Sequence, residues 1–165
     1  MRKCCLLLLM MAFLLGGCAD EETFETVADE LVLPVMAQPR EVTVRLPDNA
    51  VVPVLENDSQ QVYLSDDYEI ILETLSSGDV DATVRALTGY SRDQLCVMQT
   101  RQDAADRYEF VWTCAGEGGQ RLGRGVILDD GAYHYCLSVL RDAQNAKETQ
   151  IVWNDVFSSF ALLPA

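Results

Sequence analysis

The feature that most limits the fold of this chain is a two-residue alternation of apolar and polar side chains, which begins near residue 41. It is clearest in the stretch YEFVWTC, where Tyr108, Phe110 and Trp112 fall on one side of an extended backbone. Cys114 continues the same row. Successive side chains of a strand point to opposite faces, so this period is typical of strands with one face against a core. The pattern therefore predicts a sheet in which the aromatic row is buried.

Similar segments are separated by turn residues such as Asp-Gly and glycine-rich runs, which favour hairpins. The predicted strands are Glu41–Leu46, Gln61–Leu64, Tyr68–Leu75, Gln94–Thr100, Tyr108–Cys114, Leu122–Leu128 and Ala132–Leu140. Helical spacing predicts a short helix that Asp79 caps and Thr88-Gly89 ends, and a final helix over Ala143–Ser159. The predicted fold class is α+β: an antiparallel sheet of six to seven strands, packed by a short helix and a long C-terminal helix.

The N-terminus has the form of an export signal that ends at a cysteine. Arg2 and Lys3 precede a twelve-residue apolar run, a length typical of a signal-peptide core and below the roughly 20 residues that span a bilayer. The run ends in Leu15-Gly16-Gly17-Cys18, which resembles the lipobox of bacterial lipoproteins. The resemblance implies cleavage before Cys18, a diacylglyceryl group on its thiol and an amine that can also be acylated. An ordinary cleaved secretion signal and a retained membrane helix are the alternatives.

The segment after the cysteine is strongly acidic. Residues 18–41 are predicted to be a lipidated tether, because six acids between Asp20 and Glu30 repel one another and two prolines follow. Removing residues 1–17 would take away Arg2 and Lys3, so the formal net charge would pass from −14 to −16. That charge argues against nucleic acid and anionic headgroups as partners. Residues 42–165 are predicted to form one globular domain.

Three further cysteines would remain in the exported chain: Cys96, Cys114 and Cys136. Their number is odd, so at least one has no disulfide partner within the chain. Export permits a disulfide without requiring it. Buried thiols that pack as small apolar side chains are one interpretation, and one disulfide with a free thiol is the other.

The order of elements in the second half, strands that end in YHYCLSVL and then a helix that ends in IVWNDVFSSFAL, resembles the PsbP-like α/β/α sandwich. Members often close with an aromatic residue in the last helix and a Ser-Phe pair, which correspond here to Trp153, Ser159 and Phe160. The likeness covers roughly residues 42–163. It implies an accessory or binding role and brings no catalytic residues. The acidic tether and lipid anchor depart from it, since photosystem members need not have them.

The only histidine, His134, lies two residues before Cys136, so a strand would place both side chains on one face. With Cys114 or Cys96 they could hold zinc, and by themselves they could form a base and a nucleophile. Zinc sites prefer tight chelating turns, and neighbours on one face rarely align a thiolate with its base. We therefore expect a half-buried histidine bonded to a neighbour, no catalytic or metal site, and no cofactor.

Glycines and charges cluster in AGEGGQRLGRG, residues 115–125, which lacks the GK[ST] ending of a P-loop and has no helix N-terminus after it. A hairpin with left-handed glycines is expected. Arg121 and Arg124 form the only compact basic spot in the sequence; they could contact an anionic partner or pair with surface acids. The turn acids Asp66-Asp67 and Asp129-Asp130 do not have the spacing of a calcium loop.

Tyr133 and Tyr135 would face away from His134 and Cys136 on their strand. Helices on both faces of the sheet would bury both sets, whereas helices on one face would leave one set exposed as a candidate binding surface. The sequence assigns no binding residues.

Taken together, these patterns predict a lipoprotein on the extracytoplasmic side of the cell membrane, anchored through Cys18. It would act as a non-catalytic binding or accessory module for an envelope component. An envelope protein is an expected partner and nucleic acid is not. A solute- or cation-binding lipoprotein and a small hydrolase with dispersed catalytic residues are the alternatives.

Overall fold

The computed structural model describes residues 38–50, 52–102, 105–116, 118–143 and 150–164. The predicted signal peptide, Cys18 and most of the predicted tether lie outside them. The strands are β1 (Val42–Thr43), β2 (Leu55–Glu56), β3 (Gln60–Leu64), β4 (Tyr68–Ser76), β5 (Met98–Gln102), β6 (Ala105–Gly116), β7 (Gly119–Asp129), β8 (Tyr133–Asp142) and β9 (Ala161–Leu162). The helices are α1 (Val80–Thr88) and α2 (Gln150–Ser159), with a 3₁₀ turn over Arg92–Gln94. No helix among these residues has the length and apolar character needed to cross a membrane.

Seven strands form one antiparallel sheet in the order β2-β3-β4-β8-β7-β6-β5. Two consecutive hairpins join β6, β7 and β8, and β8 then lies beside β4. β1 and β9 pair separately as a two-stranded antiparallel sheet. The predicted α+β class and the predicted antiparallel sheet of about seven strands are confirmed.

Both hairpin turns of β6–β7–β8 contain glycine in the left-handed region. Gly119 has φ +134° and Gly131 has φ +90°, conformations that glycine adopts without the steric cost other residues incur. Gly119 pairs with Gly116 across the first turn. The glycine-rich segment is therefore a hairpin, as predicted.

One core lies between the sheet and α2. From the sheet it takes large side chains of β3, β4, β7 and β8, and from the helix it takes Trp153, Val156 and Phe157. Phe160, just after the helix, is fully buried in it. Val42, Val44 and Leu46 pack against this core from the start of the domain.

A second core lies between the opposite sheet face and α1. Tyr108, Phe110 and Trp112 pack there with Val84 of α1, Ile127 and Cys136. The predicted aromatic row is thus buried, as expected from its spacing. Each face of the sheet carries a helix, so Tyr135 and His134, which point to opposite faces of β8, are both buried.

The boundaries of α1 follow the predicted caps. The Asp79 carboxylate accepts a hydrogen bond from the Asp81 backbone N–H at 3.0 Å, which supplies a partner to one of the free donors of the first turn. Gly89 has φ +79°, and its N–H donates to the Arg85 carbonyl. Both ends are therefore fixed by residue chemistry that the sequence displays.

Two predicted strands are longer than the strands observed, whereas β6 and β7 extend beyond their predicted ranges at both ends. Only Val42–Thr43 of the segment 41–46 is a strand, since the Arg45 N–H donates instead to Ser159 Oγ at 2.8 Å. Its alternation reflects burial against the α2-side core. The segment 94–100 begins with a 3₁₀ turn, and β5 starts only at Met98. The Gln94 side chain accepts from the Ser91 N–H at 2.9 Å and closes that turn.

The sequence did not predict β2 or β9, since two residues cannot show an alternation. The described part of the C-terminal helix is α2, of ten residues. Residues 144–149 of the predicted helix lie outside the described residues, so its predicted length stays a prediction.

Candidate functional site

His134 is fully buried on the α1 face of β8 and uses both ring nitrogens. Its Nδ1 lies 2.8 Å from Thr83 Oγ1 of α1. Its Nε2 lies 3.5 Å from Asp129 Oδ2 and 3.5 Å from Ser77 Oγ. The expected bond to a neighbour is present, although burial is complete rather than partial. The ring joins α1 to the sheet and presents no face to solvent.

Cys136 lies in the same interior and is 1% exposed. Burial, together with the nearby charge of Glu73, raises the pKa of its thiol, so the thiol stays protonated at neutral pH. A nucleophile or a metal ligand needs the thiolate. Within the described ranges no group of three or more His, Cys, Asp or Glu side chains could hold a metal ion.

The three cysteines of the domain are all free thiols. Only Cys136 is buried; Cys114 is half-buried and Cys96 is exposed. The interpretation that all three pack as small apolar side chains is therefore wrong for Cys96, which sits just before the exposed edge strand β5.

The predicted basic spot is divided between the two faces of the sheet. Arg121 and Arg124 are three residues apart in β7, and an odd spacing in a strand places side chains on opposite faces. Arg121 pairs with Glu69 at 3.1 Å on the α1 side. Arg124 pairs with Glu109 at 3.1 Å on the α2 side. Each arginine has an acidic partner, but the two do not form one compact spot.

A groove on the α2 side is the candidate binding site. It lies between α2 and strands β5, β6, β7 and β8 and has a volume of about 490 Å³. Its apolar lining includes Met98, Val111, Leu122, Val139, Trp153 and Phe157. Its charged lining is Glu109, Arg124 and Arg141. We call this cavity the α2 groove.

The α2 groove opens toward the edge of the sheet. Met98 and Val111 are 59% and 53% exposed, whereas Trp153 and Phe157 on the helix side are buried. The buried residues of α2 pack mainly with side chains of β3, β4, β7 and β8, whereas Met98 of β5 and Val111 of β6 are exposed. The groove is thus a consequence of a helix that covers only part of a wide sheet.

The helix wall of the groove is held by the buried Arg107. Its Nη2 donates to the Phe157 carbonyl at 2.7 Å, and its Nη1 donates to the Phe160 carbonyl at 3.0 Å. The last carbonyls of a helix have no partner within the helix and carry partial negative charge, so a guanidinium is favourable there. Arg107 therefore fixes the C-terminal end of α2 against β6.

Glu109 links that anchor to the groove. Its carboxylate accepts from Arg107 Nε at 2.8 Å and from Arg124 Nη2 at 3.1 Å. Burial by itself would raise the pKa of Glu109, but the hydrogen bonds and charges of Arg107 and Arg124 outweigh it and lower the pKa below its usual value. Glu109 is therefore ionised at neutral pH.

Arg124 extends the polar contacts to the helix. Its Nη1 donates to Asn154 Oδ1 at 3.2 Å, and its guanidinium carbon lies 4.3 Å from the centre of the Phe157 ring, a cation–π distance. Arg124 thus contacts Glu109 on the sheet side of the groove, and Asn154 and Phe157 on the helix side.

Arg141 brings a second cation to the groove. In the strand register Arg124 lies opposite Val139, and Arg141 is two residues further along β8 on the same face. Burial, followed by the charge of Arg124, lowers the pKa of Arg141, and its guanidinium carbon lies 5.9 Å from the Trp153 ring centre. Trp153 Nε1 is buried and has no hydrogen-bond partner within the described part of the chain.

Sequence reasoning singled out Arg124 and Trp153 for other reasons and did not select Glu109, Arg141, Val111 or Met98. The four residues that were not selected lie on one face of the sheet. Alternating spacing shows that they share a face, but it does not show which part of that face the helix leaves exposed. The available signal was weak: charged residues at core-facing positions of β6, β7 and β8.

No protein-family model matches the sequence, and no curated protein sequence matches it. Among solved structures, the chain is similar to LpqN of Mycobacterium tuberculosis, described as involved in cell envelope biogenesis. The identity is 12% and the TM-score 0.49, over 77% of this chain and 87% of LpqN. It is also similar to PA94 of Pseudomonas aeruginosa, a protein of unknown function, with 12% identity and a TM-score of 0.49, over 81% of this chain and 90% of that one. Likenesses of this extent do not assign a function.

Proposed function

We propose that this chain is a lipoprotein, anchored through Cys18 on the extracytoplasmic side of the membrane, whose domain is a non-catalytic binding module for an envelope component. The observation that carries the binding role is the α2 groove. Its volume of about 490 Å³ lies within the roughly 300–1,000 Å³ of small-molecule sites, and its lining combines apolar walls with a few charged groups. The lipobox-like Leu15-Gly16-Gly17-Cys18 supports the anchor.

The chemistry of the domain supports binding rather than catalysis. The candidate nucleophile Cys136 is a buried thiol with a raised pKa. The candidate base His134 is buried among Thr83, Asp129 and Ser77. A reacting group of a substrate would have to displace α1 to reach either one. The cationic lining of the α2 groove also makes a cation an unfavourable ligand there.

A PsbP-like arrangement belongs to the same proposal. It is supported by the antiparallel sheet with one helix on each face and by the burial of Trp153 and Phe160, two of the residues that carry the resemblance. An accessory role in an envelope assembly follows from the resemblance.

Crosslinking in intact cells tests this function. A photoreactive amino acid replaces Val111 at the mouth of the α2 groove in a lipid-anchored copy, and the adducts are identified by mass spectrometry. Leu64, which is 56% exposed on the opposite sheet face, is the matched control position against 53% for Val111. We expect one dominant adduct, protein or small molecule, at position 111 only.

A Cys18→Ser copy completes the experiment. We expect it to leave the membrane fraction and to lose the adduct, because two acyl chains are needed for stable anchoring. Equal labelling at positions 64 and 111, or an adduct that persists at full yield without the anchor, would count against the proposal.

A further inference from the structure

We propose that the α2 groove binds an amphipathic anion, a single apolar chain that ends in a carboxylate or a phosphate. The head group lies between Arg124 and Arg141, and the chain runs over Val111 and Met98 toward the edge of the sheet. This inference rests on the proposed binding function and specifies its ligand.

The positions of the two arginines argue for an anionic head group. Arg124 lies opposite Val139 across β7 and β8, and Arg141 lies two residues beyond Val139, so the two arginines are diagonal neighbours on one face. Diagonal neighbours are about 7–8 Å apart, within reach of long side chains. Guanidinium groups bind carboxylate and phosphate through paired hydrogen bonds, so one anion can be shared by both.

The acid in the groove leaves this positive charge in place. Glu109 is the acidic side chain of the lining, and its carboxylate already accepts from the buried Arg107 as well as from Arg124. Two guanidinium groups thus bind this one carboxylate, and Arg141 adds another cation to the lining of the groove. Among the described lining residues the arginines therefore outnumber the carboxylates, although the chain as a whole is formally −14.

The overall acidity of the chain and a local anion site are compatible. A membrane surface or a nucleic acid meets the summed charge of the protein and is repelled. A single head group within the groove is a few ångströms from Arg124 and Arg141, whereas surface acids beyond about 8 Å are largely screened at physiological ionic strength. The net charge therefore disfavours the binding of extended anions, but it does not prevent one small anionic head group from binding in the groove.

The indole of Trp153 supplies a further donor. Trp153 is 5% exposed, lines the groove, and its Nε1–H has no hydrogen-bond partner within the described ranges. A buried donor without a partner is unfavourable by the desolvation of that group. A head-group oxygen in the groove would give this N–H an acceptor.

The apolar part of the ligand is specified by the mouth of the groove. Val111 of β6 pairs with Arg124 of β7. Met98 of β5 pairs with Glu109 of β6. Both side chains are more than half exposed and both line the groove. A chain that leaves the head group across the strands would cover these two surfaces and remove their apolar area from water.

The test uses the full lipid-anchored chain in phosphatidylcholine nanodiscs, with empty nanodiscs as the baseline for isothermal titration calorimetry. The probes are octanoate, octyl phosphate, 1-octanol and acetate. We expect octanoate or octyl phosphate to bind at least tenfold more tightly than both 1-octanol and acetate. Preference for octanoate identifies a fatty-acid ligand, and preference for octyl phosphate identifies a phospholipid-derived one. Equal binding of 1-octanol or of acetate would overturn the inference.

Variants separate the groove from general electrostatics. Arg124→Gln and Arg141→Gln are expected to weaken binding at least tenfold, while Arg121→Gln, on the opposite face of the same strand, stays within twofold of the wild type. Val111→Glu, at an exposed position, is expected to abolish binding without unfolding the domain. A similar loss in Arg121→Gln, or full affinity in Val111→Glu, contradicts the inference.

The outcome distinguishes this inference from the function on which it rests. If a protein or a neutral molecule is crosslinked at position 111 and neither anionic probe binds, the inference of an amphipathic anion is rejected. The proposal that the domain is a binding module then still stands. If no crosslink forms at position 111 and neither anionic probe binds, both the inference and the proposed binding function are rejected.

Discussion

At the scale of single residues, Asp130 fixes the turn between β7 and β8. Its Oδ1 accepts from the N–H groups of Tyr133 at 2.8 Å and Ala132 at 2.9 Å, and its Oδ2 accepts from the Tyr135 hydroxyl at 2.9 Å. The Tyr135 oxygen accepts in turn from the Arg40 N–H at 2.8 Å. One carboxylate therefore joins a hairpin, a buried ring and the first described residues of the chain.

Replacing this carboxylate has a predictable cost. We expect Asp130→Ala to lower the free energy of unfolding by about 2 kcal/mol, since hydrogen bonds to a charged group contribute about 1.5–3 kcal/mol each and water replaces part of them. Urea denaturation at pH 7 measures the change. Asp66→Ala, at an exposed aspartate of another turn, is the control, and we expect it to stay within about 0.5 kcal/mol of the wild type. Equal losses would contradict the assignment.

The sequence predicted the roles of residues that contact only near neighbours along the chain. Asp79, Gly89 and Gly131 lie at caps and turns whose requirements are set by a few neighbours along the chain. His134 was expected to be half-buried, and it is fully buried because α1 brings Thr83 over it. That contact joins residues 51 apart in the sequence, so local pattern could not supply it.

At the scale of elements, α2 depends on an arginine that belongs to the sheet. We expect Arg107→Met to lower the free energy of unfolding by about 3 kcal/mol or more. The Phe157 carbonyl in α2, the Phe160 carbonyl just after it and the Glu109 carboxylate would lose a buried charged partner. Arg101→Met is the control: its pair with Asp106 is on the surface, with Arg101 side-chain exposure of 70%, and surface pairs contribute about 1 kcal/mol or less. A loss of equal size in both variants would argue against the anchor.

The pairing of β6 with β7 depends on glycines beneath the aromatic row. A Cβ atom at Gly123 would overlap the Trp112 indole, and one at Gly125 would crowd Phe110. We expect Gly123→Ala to cost about 2 kcal/mol through overpacking and to shift tryptophan fluorescence. Gly118→Ala, where a Cβ would meet nothing within 4 Å, should change neither. Unchanged fluorescence in Gly123→Ala would contradict the packing described here.

Elements differ in how well their sequence predicted them. β6, β7 and β8 were predicted in type and order because each is long and its alternation is regular. β2 and β9 are two residues long and were not predicted. Segment 41–46 alternates mainly because its apolar side chains pack on the core, since only Val42–Thr43 pairs with another strand. The α2 groove was not predicted, since it is the space left between side chains of α2 and four strands.

At the scale of the whole molecule, acid stability follows from two carboxylates. Burial alone would raise the pKa of Asp130, but hydrogen bonds from Tyr133, Ala132 and Tyr135 outweigh it and lower that pKa; Glu109 behaves alike. A carboxyl whose pKa is lower in the folded state stabilises the fold above its unfolded pKa of about 4 and loses this as pH falls through the folded pKa. We expect stability to fall below about pH 5.

Urea midpoints between pH 7 and pH 3 measure that fall. In Glu109→Gln and Asp130→Asn the stability at pH 7 should be lower and the fall on acidification smaller, because the titrating group is gone. The acidic surface also loses its mutual repulsion as pH drops, and this background is common to all three proteins. An equally steep fall in both variants would mean that other groups govern acid unfolding.

The glycines beneath Trp112 and Phe110 also determine which face of β7 carries charge. Sliding β7 by one residue along β6 would exchange its faces and bring Arg124 or Leu122 beneath the aromatic rings. A side chain at either glycine would overlap these rings, so the native packing opposes this one-residue slip. Two residues without side chains thereby keep Arg124 on the far surface of the sheet. Gly123 and Gly125 thus help to determine which side chains line the α2 groove, although neither is among its lining residues.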